Sequence, residues 1–399
     1  MKQETQSPSV PIQMAIMGGL PSKKQERLLR LKDFLNSNYE LRFNVVSRQT
    51  EVRLKYSKDD FTDVTKRTLN GIVNNAIERG GLEISDRDVS RMIESAYAPD
   101  FHPMTSYVSS LPDWDGVDRM TPLAQRISPQ ELWVKVFHIW MRAMTAQWMG
   151  TETECANTLV PVLVSREQGM RKSSFCRLLV PDSLKNYYHD KVEFSANSHY
   201  EERLAKHALI NLDEFDRISP ALMPNLKNAL QMKEVCYRKL CTNDHIRERR
   251  MASFIGTSNV TDLLTDESGS RRFMVQEVDH IIDCTPLEHR QIFAQLRHEI
   301  RSGERCYLTR DEEREMEEHN RVYYKALPEA EVFWKCFRRP DPDEQWTGLS
   351  SAEIVAYMKR RFPSVTQGFK PRNVAIILSS IGVEKVHRKT GNVFQVVPI

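Results

Sequence analysis

Apolar residues along this chain follow two kinds of pattern, and the change from one to the other divides it. In the middle, short apolar runs at 159–164, 208–212, 252–257 and 272–275 are bounded by polar residues, the pattern of strands buried on both faces. Stretches of helical period lie between them at 172–179 and 220–232. Strands alternating with helices predict an α/β layer on a mainly parallel sheet. Toward the N-terminus helical periodicity starts near Lys24. Phe43, Val45 and Val46, a polar Ser47-Arg48-Gln49 break, then Val52 and Leu54 predict a hairpin within 41–54. Two amphipathic helices follow, at 64–79, closed by Gly80-Gly81, and at 85–97, opened by Ser85 or Asp86 as cap. A turn at Trp114-Asp115-Gly116 leads to an aromatic helix at 133–148. Beyond the strands a charged helix spans about 311–326. The segment 331–399 then reads as three helices and a hairpin at 383–397, turning at Lys389-Thr390-Gly391-Asn392. No internal repeat is present.

Composition narrows the class. Hydrophobic residues are 40% of the 399 and charged ones 28%, which excludes collagen-like and disordered chains and gives room for two to three domains. The seven cysteines are odd in number and scattered, with no C-x-x-C and no zinc-ligand spacing, so reduced thiols in a cytoplasmic protein are expected. The longest apolar run, 159–164, is far short of the roughly 20 residues of a membrane span. Glu4 and Gln13 interrupt the pattern of a secretory signal. No membrane association is expected, and residues 1–22, rich in Gln, Ser, Pro and Gly, read as a disordered tail.

Candidate chemistry sits at the ends of the buried runs. The first leads into Ser165-Arg166-Glu167-Gln168-Gly169-Met170-Arg171-Lys172-Ser173-Ser174, between strand and helix, where a phosphate loop belongs. Such a loop needs backbone N–H groups at a helix N-terminus, a lysine for the β- and γ-phosphates, and a hydroxyl for Mg²⁺. Lys172 and Ser173 fit those roles, flanked by Gln168, Gly169, Arg171 and Ser174. The usual pattern has glycine at 166 and 171, where this chain has arginine. The alternative is an ordinary strand-to-helix loop with a solvated lysine. The second run ends in Asp213-Glu214. Asp213 would hold Mg²⁺ through water and Glu214 would activate the attacking water. A strand emerging into a solvated acidic loop is the other account. The third run ends at Asn259, suited either to sensing a γ-phosphate or to forming a turn. Arg271 and Arg272 follow, as an arginine pair for phosphoryl-transfer charge or as a solvated basic turn. Phosphate loop, acidic strand, amide-ended strand and arginine pair stand in the order an AAA+ type ATPase uses.

Two further segments carry concentrated positive charge. Around 236–250 a hairpin is predicted with Arg238, Lys239 and His245 near its tip, placed where a ring helicase has a pore loop; basic groups there would track a single strand. A salt-bridged surface hairpin is the plainer reading. The chain carries a formal net charge of +3, yet residues 350–399 hold eight Lys/Arg against Glu353 and Glu384. A helix near 371–380, started by Pro371 and followed by a basic wing, suits DNA reading through Lys370, Arg372, Arg388 and Lys389. Such modules also dock proteins.

Together these residues resemble the virulence-associated protein E family and, more distantly, the superfamily-3 helicases of phages and viruses. The likeness covers roughly 38–279. It rests on Tyr39 to Val46, Trp114-Asp115-Gly116-Val117-Asp118-Arg119, Gln168-Gly169 with Lys172-Ser173, Leu212-Asp213-Glu214-Phe215, Phe254-Ile255-Gly256-Thr257-Ser258-Asn259, and Asp266 through Phe273. The family's phosphate loop normally ends Gly-Lys-Ser, so Arg171 is a departure. The resemblance implies a phage- or mobile-element-associated P-loop ATPase that uses ATP and Mg²⁺ in replication. A homo-oligomeric ring such as a hexamer on single-stranded or forked DNA is expected, together with a separate primase, since no primase catalytic domain is visible here. The expected fold class is α/β, an AAA+-like P-loop NTPase core with a helical N-terminal region and a C-terminal winged-helix-like domain. The corresponding divisions are 1–22 tail, 23–150 mostly helical region, 151–310 ATPase core, 311–330 linker helix and 331–399 winged-helix-like domain. A DNA-binding regulatory module on a P-loop fold, with weak or no ATP turnover, is the competing expectation.

Overall fold

The computed structural model describes residues 22–150, 156–190, 193–194, 200–219, 222–238, 245–264, 271–324, 328–341, 344–388 and 391–399. The predicted 1–22 tail lies outside them except for Ser22. The chain divides into two compact units, one of residues up to Leu111 with Trp148–Gly150, the other of Pro112–Gln147 and everything after 150.

The first unit begins with helix α1 (Lys23–Asn38), started by a capping box in which the Ser22 hydroxyl accepts from the Gln25 N–H and the Gln25 side chain accepts from the Ser22 N–H. Strands β1 (Tyr39–Asn44) and β2 (Gln49–Leu54) form the predicted antiparallel hairpin. Its polar break is a turn in which the Asn44 side-chain oxygen accepts from the N–H groups of Val46 and Ser47, and Arg48 takes a φ of 60°. Then come β3 (Thr62–Asp63), α2 (Lys66–Glu78), α3 (Asp86–Ile93), β4 (Asp100–Phe101) and α4 (Pro103–Ser109). The sheet order is β3-β2-β1-β4. Two-residue strands are too short to leave a period-2 signature, so β3 and β4 were not expected in a mostly helical region. Helix α3 stops at Ile93 rather than 97, because the Ser95 hydroxyl donates to the Met92 carbonyl and competes with the helical pattern. The core is Leu31, Leu35, Val52, Ile72, Val73, Ala76, Val89 and Ile93.

The second unit holds α5 (Met120–Gln125) and α6 (Glu131–Met149, of which this unit takes residues to Gln147), then β5 (Val160–Val164), α7 (Lys172–Leu178), β6 (Tyr188–Asp190), α8 (Tyr200–Lys206) and β7 (Leu209–Leu212). Next are α9 (Met223–Gln231), the hairpin β8 (Glu234–Arg238) and β9 (His245–Arg249), β10 (Ser253–Ser258), β11 (Phe273–Glu277), α10 (His289–Arg301) and α11 (Arg310–Asn320). Five strands form one parallel sheet in the order β11-β5-β10-β7-β6, as the apolar runs predict. The edge strand β6 reads Tyr-His-Asp, with no apolar run to reveal it. The sequence reading also assigns nothing between 276 and 310, where α10 stands. One sheet face packs Val160, Val162, Val164, Ile210, Leu212, Phe254, Phe273 and Val275 beneath α8, α9 and the hairpin.

Residues 112–147 group with the sheet, whereas the sequence reading set them with the N-terminal helices. The reason is the aromatic face of α6, where Phe137 lies between Trp133 and Trp140 and meets Phe175 of α7. Below the sheet, Asn157 donates to the Trp140 carbonyl and the Ser253 hydroxyl, and the Gln147 amide donates to the Arg250 carbonyl.

Arg250 itself is buried at the base of the β8–β9 hairpin, its guanidinium donating to the carbonyls of Ala229 at 2.7 Å and Asn157 at 2.5 Å. Burial lowers its pKa to about 9, which leaves it charged at neutral pH. Among the described residues no carboxylate pairs with it. Arg250→Met strips two buried carbonyls of their donors, at about 1–3 kcal/mol each, while removing a buried charge. A net loss of about 2–4 kcal/mol is expected in urea unfolding, with an unchanged m-value.

After α11 come α12 (Pro328–Cys336), β12 (Phe337–Arg338), β13 (Thr347–Leu349), α13 (Ser351–Arg361), α14 (Pro371–Ser380), β14 (Lys385–Arg388) and β15 (Gly391–Pro398). The expected three helices and final hairpin are joined by β12 and β13, which pair with β15 around Phe333, Phe337, Ile354, Val374, Leu378 and Phe394. Among the described residues no helix is long and apolar enough to cross a membrane. Cys176, Cys236, Cys284, Cys306 and Cys336 are free thiols.

Candidate functional site

In parallel sheets ligands bind beyond the carboxyl ends of the strands, where successive connections leave in opposite directions. Here that point is β5, since β7 and β6 lie to one side of it and β11 to the other. The loop 165–171 follows β5 directly. Gly169 has a φ of 83° and Arg171 a φ of 63° with ψ 24°, a left-handed conformation that costs a non-glycine residue about 1–2 kcal/mol. The backbone therefore takes, at the arginine that replaces the usual glycine, the shape a glycine would adopt freely.

Lys172 opens α7 and is buried, its ammonium donating to the Ser165 hydroxyl at the end of β5 and to Asn259 Oδ1 at 2.9 Å beyond β10. Burial lowers its pKa, and the nearby Asp213 carboxylate opposes the shift. Asp213 Oδ1 accepts from the Thr257 hydroxyl at 2.6 Å and from the Ser173 hydroxyl at 3.3 Å. The ends of β5, β10 and β7 are thus tied together through one ammonium and one carboxylate. Glu214 stands next, in the left-handed region at φ 55°, with a carboxylate oxygen 3.0 Å from Arg217 Nη1. Gln168, Gly169, Arg171, Ser173 and Ser174 are exposed along the loop and first turn. Three members carry no sequence assignment: Thr257, Ser258 and Asp216, whose carboxylate accepts from the Ser258 hydroxyl at 2.7 Å. Both hydroxyls close the amide-ended strand, and only the pairing of β10 with β7 shows that they face the acids.

Arg271 and Arg272 are not part of this cluster. They precede β11, whose Phe273 pairs with Val160, so they stand level with the opposite end of β5. The four-residue step from Val160 to Val164 is about 13 Å of strand rise. Arg271 is exposed and Arg272 half-buried. Burial lowers the Arg272 pKa, as does the adjacent Arg271. Among the described residues neither has an ion-pair partner.

The other predicted positions are dispersed. Arg238 and His245 face each other at the open end of the β8–β9 hairpin, both exposed, while Lys239 lies outside the described residues. In the C-terminal segment Lys370, Arg372 and Arg388 are exposed, with the Arg388 guanidinium 5.1 Å from the Trp346 ring centre. Lys389 lies outside the described residues. The Trp114 to Arg119 segment is a brace. Arg119 holds both Asp115 oxygens at 2.7 Å, which lowers the Asp115 pKa to about 2. Backbone N–H groups of Asp115 and Arg119 donate to Gln291 and Gln295 of α10, and the Trp114 ring lies against His298.

What the three strand ends assemble is a set of hard oxygen donors, from Ser173, Asp213 and Thr257, beside a buried ammonium. Such oxygens suit a small divalent cation that keeps most of its waters, and the ammonium suits a phosphate. Comparison with known families finds a match over residues 108–325 to the virulence-associated protein E-like domain. Residues 327–396 match a domain of unknown function from B. theta (DUF3874). No curated protein matches the chain. Among solved structures, the apo NrS-1 C-terminal region is similar at a TM-score of 0.46 and 11% identity, over 94% of this chain and 100% of that one. The A form of the same apo region gives 0.47 and 11%, over 93% and 98%.

Proposed function

This chain belongs to the virulence-associated protein E-like family, and on that footing we propose that it is a Mg²⁺-dependent ATPase of DNA replication, of the superfamily-3 helicase type, working as a ring on single-stranded or forked DNA. The observation that carries the reading is the joining of Lys172, Ser173, Asp213, Thr257 and Asn259 at the ends of three adjacent parallel strands. In this reading the core is a P-loop NTPase of AAA+ type, and the C-terminal segment is a winged-helix-like module.

The roles follow from position. The loop N–H groups around Gln168, Gly169, Arg171 and Ser174 cradle the β-phosphate, and the Lys172 ammonium, held between two strand ends, meets the β- and γ-phosphates. Ser173 and Asp213 would hold Mg²⁺, which when bound would neutralise charge on the phosphate oxygens. Glu214 accepts a proton from the attacking water, and Asn259 hydrogen-bonds the γ-phosphate or that water. A cleft of about 200 Å³ walled by Leu123, Pro286, Leu287 and Ile292 is where the base would lie. Arg238 and His245 on the hairpin, and Lys370, Arg372 and Arg388 near the C-terminus, contact DNA phosphates. A primase on a separate chain is the expected partner.

The test is ATP hydrolysis by the purified protein with and without single-stranded DNA, with the mass of the assembly measured in both states. Stimulation by the strand and growth of the assembly with ATP are expected. A monomer without turnover would overturn the reading. One feature favours the competing account, a DNA-binding module with weak or no turnover: Arg171 occupies a left-handed position at a backbone cost that glycine avoids. Tight DNA binding with no nucleotide-dependent step would support that account instead.

A further inference from the structure

The first unit lies outside the family match except for its last residues, and it carries a charged groove of its own. The groove is about 600 Å³, bounded by α1, the end of α2, the 82–85 turn and α3. Lys24 and Arg27 line it three residues apart on α1, and Arg87 and Arg91 four apart on α3, spacings that put each pair on one helix face. Ile77, nearly half exposed, and Ile84 supply an apolar floor.

Two acids also line the groove. Asp88 is committed, since its carboxylate accepts from the Ser85 N–H and hydroxyl in the α3 capping box and lies 3.7 Å from Arg27. Glu83 is exposed. Lys24, Arg87 and Arg91 have no ion-pair partner among the described residues. Like charges gathered around a concavity repel one another, and the low-dielectric wall focuses their field outward. A polyanion laid in the groove removes that repulsion.

We propose that this groove binds the sugar–phosphate backbone of a single nucleic-acid strand, independently of any nucleotide at the sheet. Cations flanking an apolar floor suit a chain that presents phosphates on its edge and uncovered bases and sugars between them. A duplex hides its bases and offers a convex cylinder to the groove. The cations are placed to meet phosphates and the floor to meet uncovered bases and sugars, so recognition is expected to be sequence-tolerant.

The experiment is fluorescence anisotropy of labelled oligothymidylate on the full chain, without nucleotide, across a salt series. The Arg87→Gln/Arg91→Gln double variant removes two contacts from exposed positions. The slope of log affinity against log salt should shrink by about 1.4, with roughly 25-fold weaker binding near 0.1 M salt. Residual binding from the hairpin and C-terminal cations remains. Glu83→Gln, which removes the groove's uncommitted acid, should strengthen binding, a sign that mere loss of folding cannot produce. An unchanged slope in the double variant, or weaker binding in Glu83→Gln, would overturn the assignment. So would displacement of the oligonucleotide at equal charge by duplex or by polyglutamate. The readout needs no ATP turnover, so its failure is separate from failure of the ATPase reading.

Discussion

Lys172→Ala protein is expected to hydrolyse no measurable ATP, and Glu214→Gln protein to bind ATP while turning it over about 10²–10⁴ times more slowly. The two losses have different causes. Lys172 is the buried cation at the site, and its ammonium also links Ser165 to Asn259. Removing it takes away both the charge proposed to meet the phosphates and the tie between two strand ends, so nucleotide affinity should fall with turnover. Glu214 is partly exposed beside Arg217, and glutamine keeps its size while losing its basicity. Its effect should appear in the turnover number alone. The check is steady-state hydrolysis together with binding of a fluorescent ATP analogue. Wild-type turnover in both variants would remove the ATPase reading.

Arg272→Ala, or Arg271→Ala, is expected to cost about 10³–10⁵ in turnover while leaving nucleotide binding by the single chain intact. Their place before β11, about 13 Å along the sheet from the 165–171 loop, keeps both arginines from the cluster of their own chain. If the proposed ring forms, an arginine in that position is placed to serve the site of a neighbouring copy rather than its own. Mixing supplies the decisive measurement. Lys172→Ala protein has intact arginines and Arg272→Ala protein an intact loop, so a mixed assembly contains interfaces with one good half from each. Activity should therefore appear on mixing two inactive variants. A mixture as inactive as its components, with assembly shown by mass, would refute action between copies.

The sheet was legible because buried parallel strands read as unbroken apolar runs, and the site because polar residues follow those runs directly. Asp213 and Asn259 follow such runs, Lys172 opens the helix after one, and chain order alone relates them. What the sequence withholds is lateral: which strand lies beside which. Thr257 looks like an ordinary strand residue until β10 is seen next to β7, with its hydroxyl on Asp213. The same gap hid the distance of Arg271 and Arg272 from the loop, since strand direction and register decide it. Edge elements were missed for another reason. Strand β6 is short and polar, and its pairing with β7, not its residue pattern, makes it a strand. The Trp114 to Arg119 motif reads like a functional signature, yet its groups are spent on one another and on α10.

The parallel sheet is unequally fastened at its two ends. Asn157, Ser253, Gln147 and Arg250 lock the starts of β5 and β10 in a buried, interlinked patch, whereas beyond the far end of β5 the chain runs out into the exposed residues 166–169. Local opening is cheapest where few buried contacts must break. Fluctuation should therefore start at residues 166–169 and stop at the buried patch, so that this part of the loop can loosen and re-form around a visitor without loosening the strands that carry it.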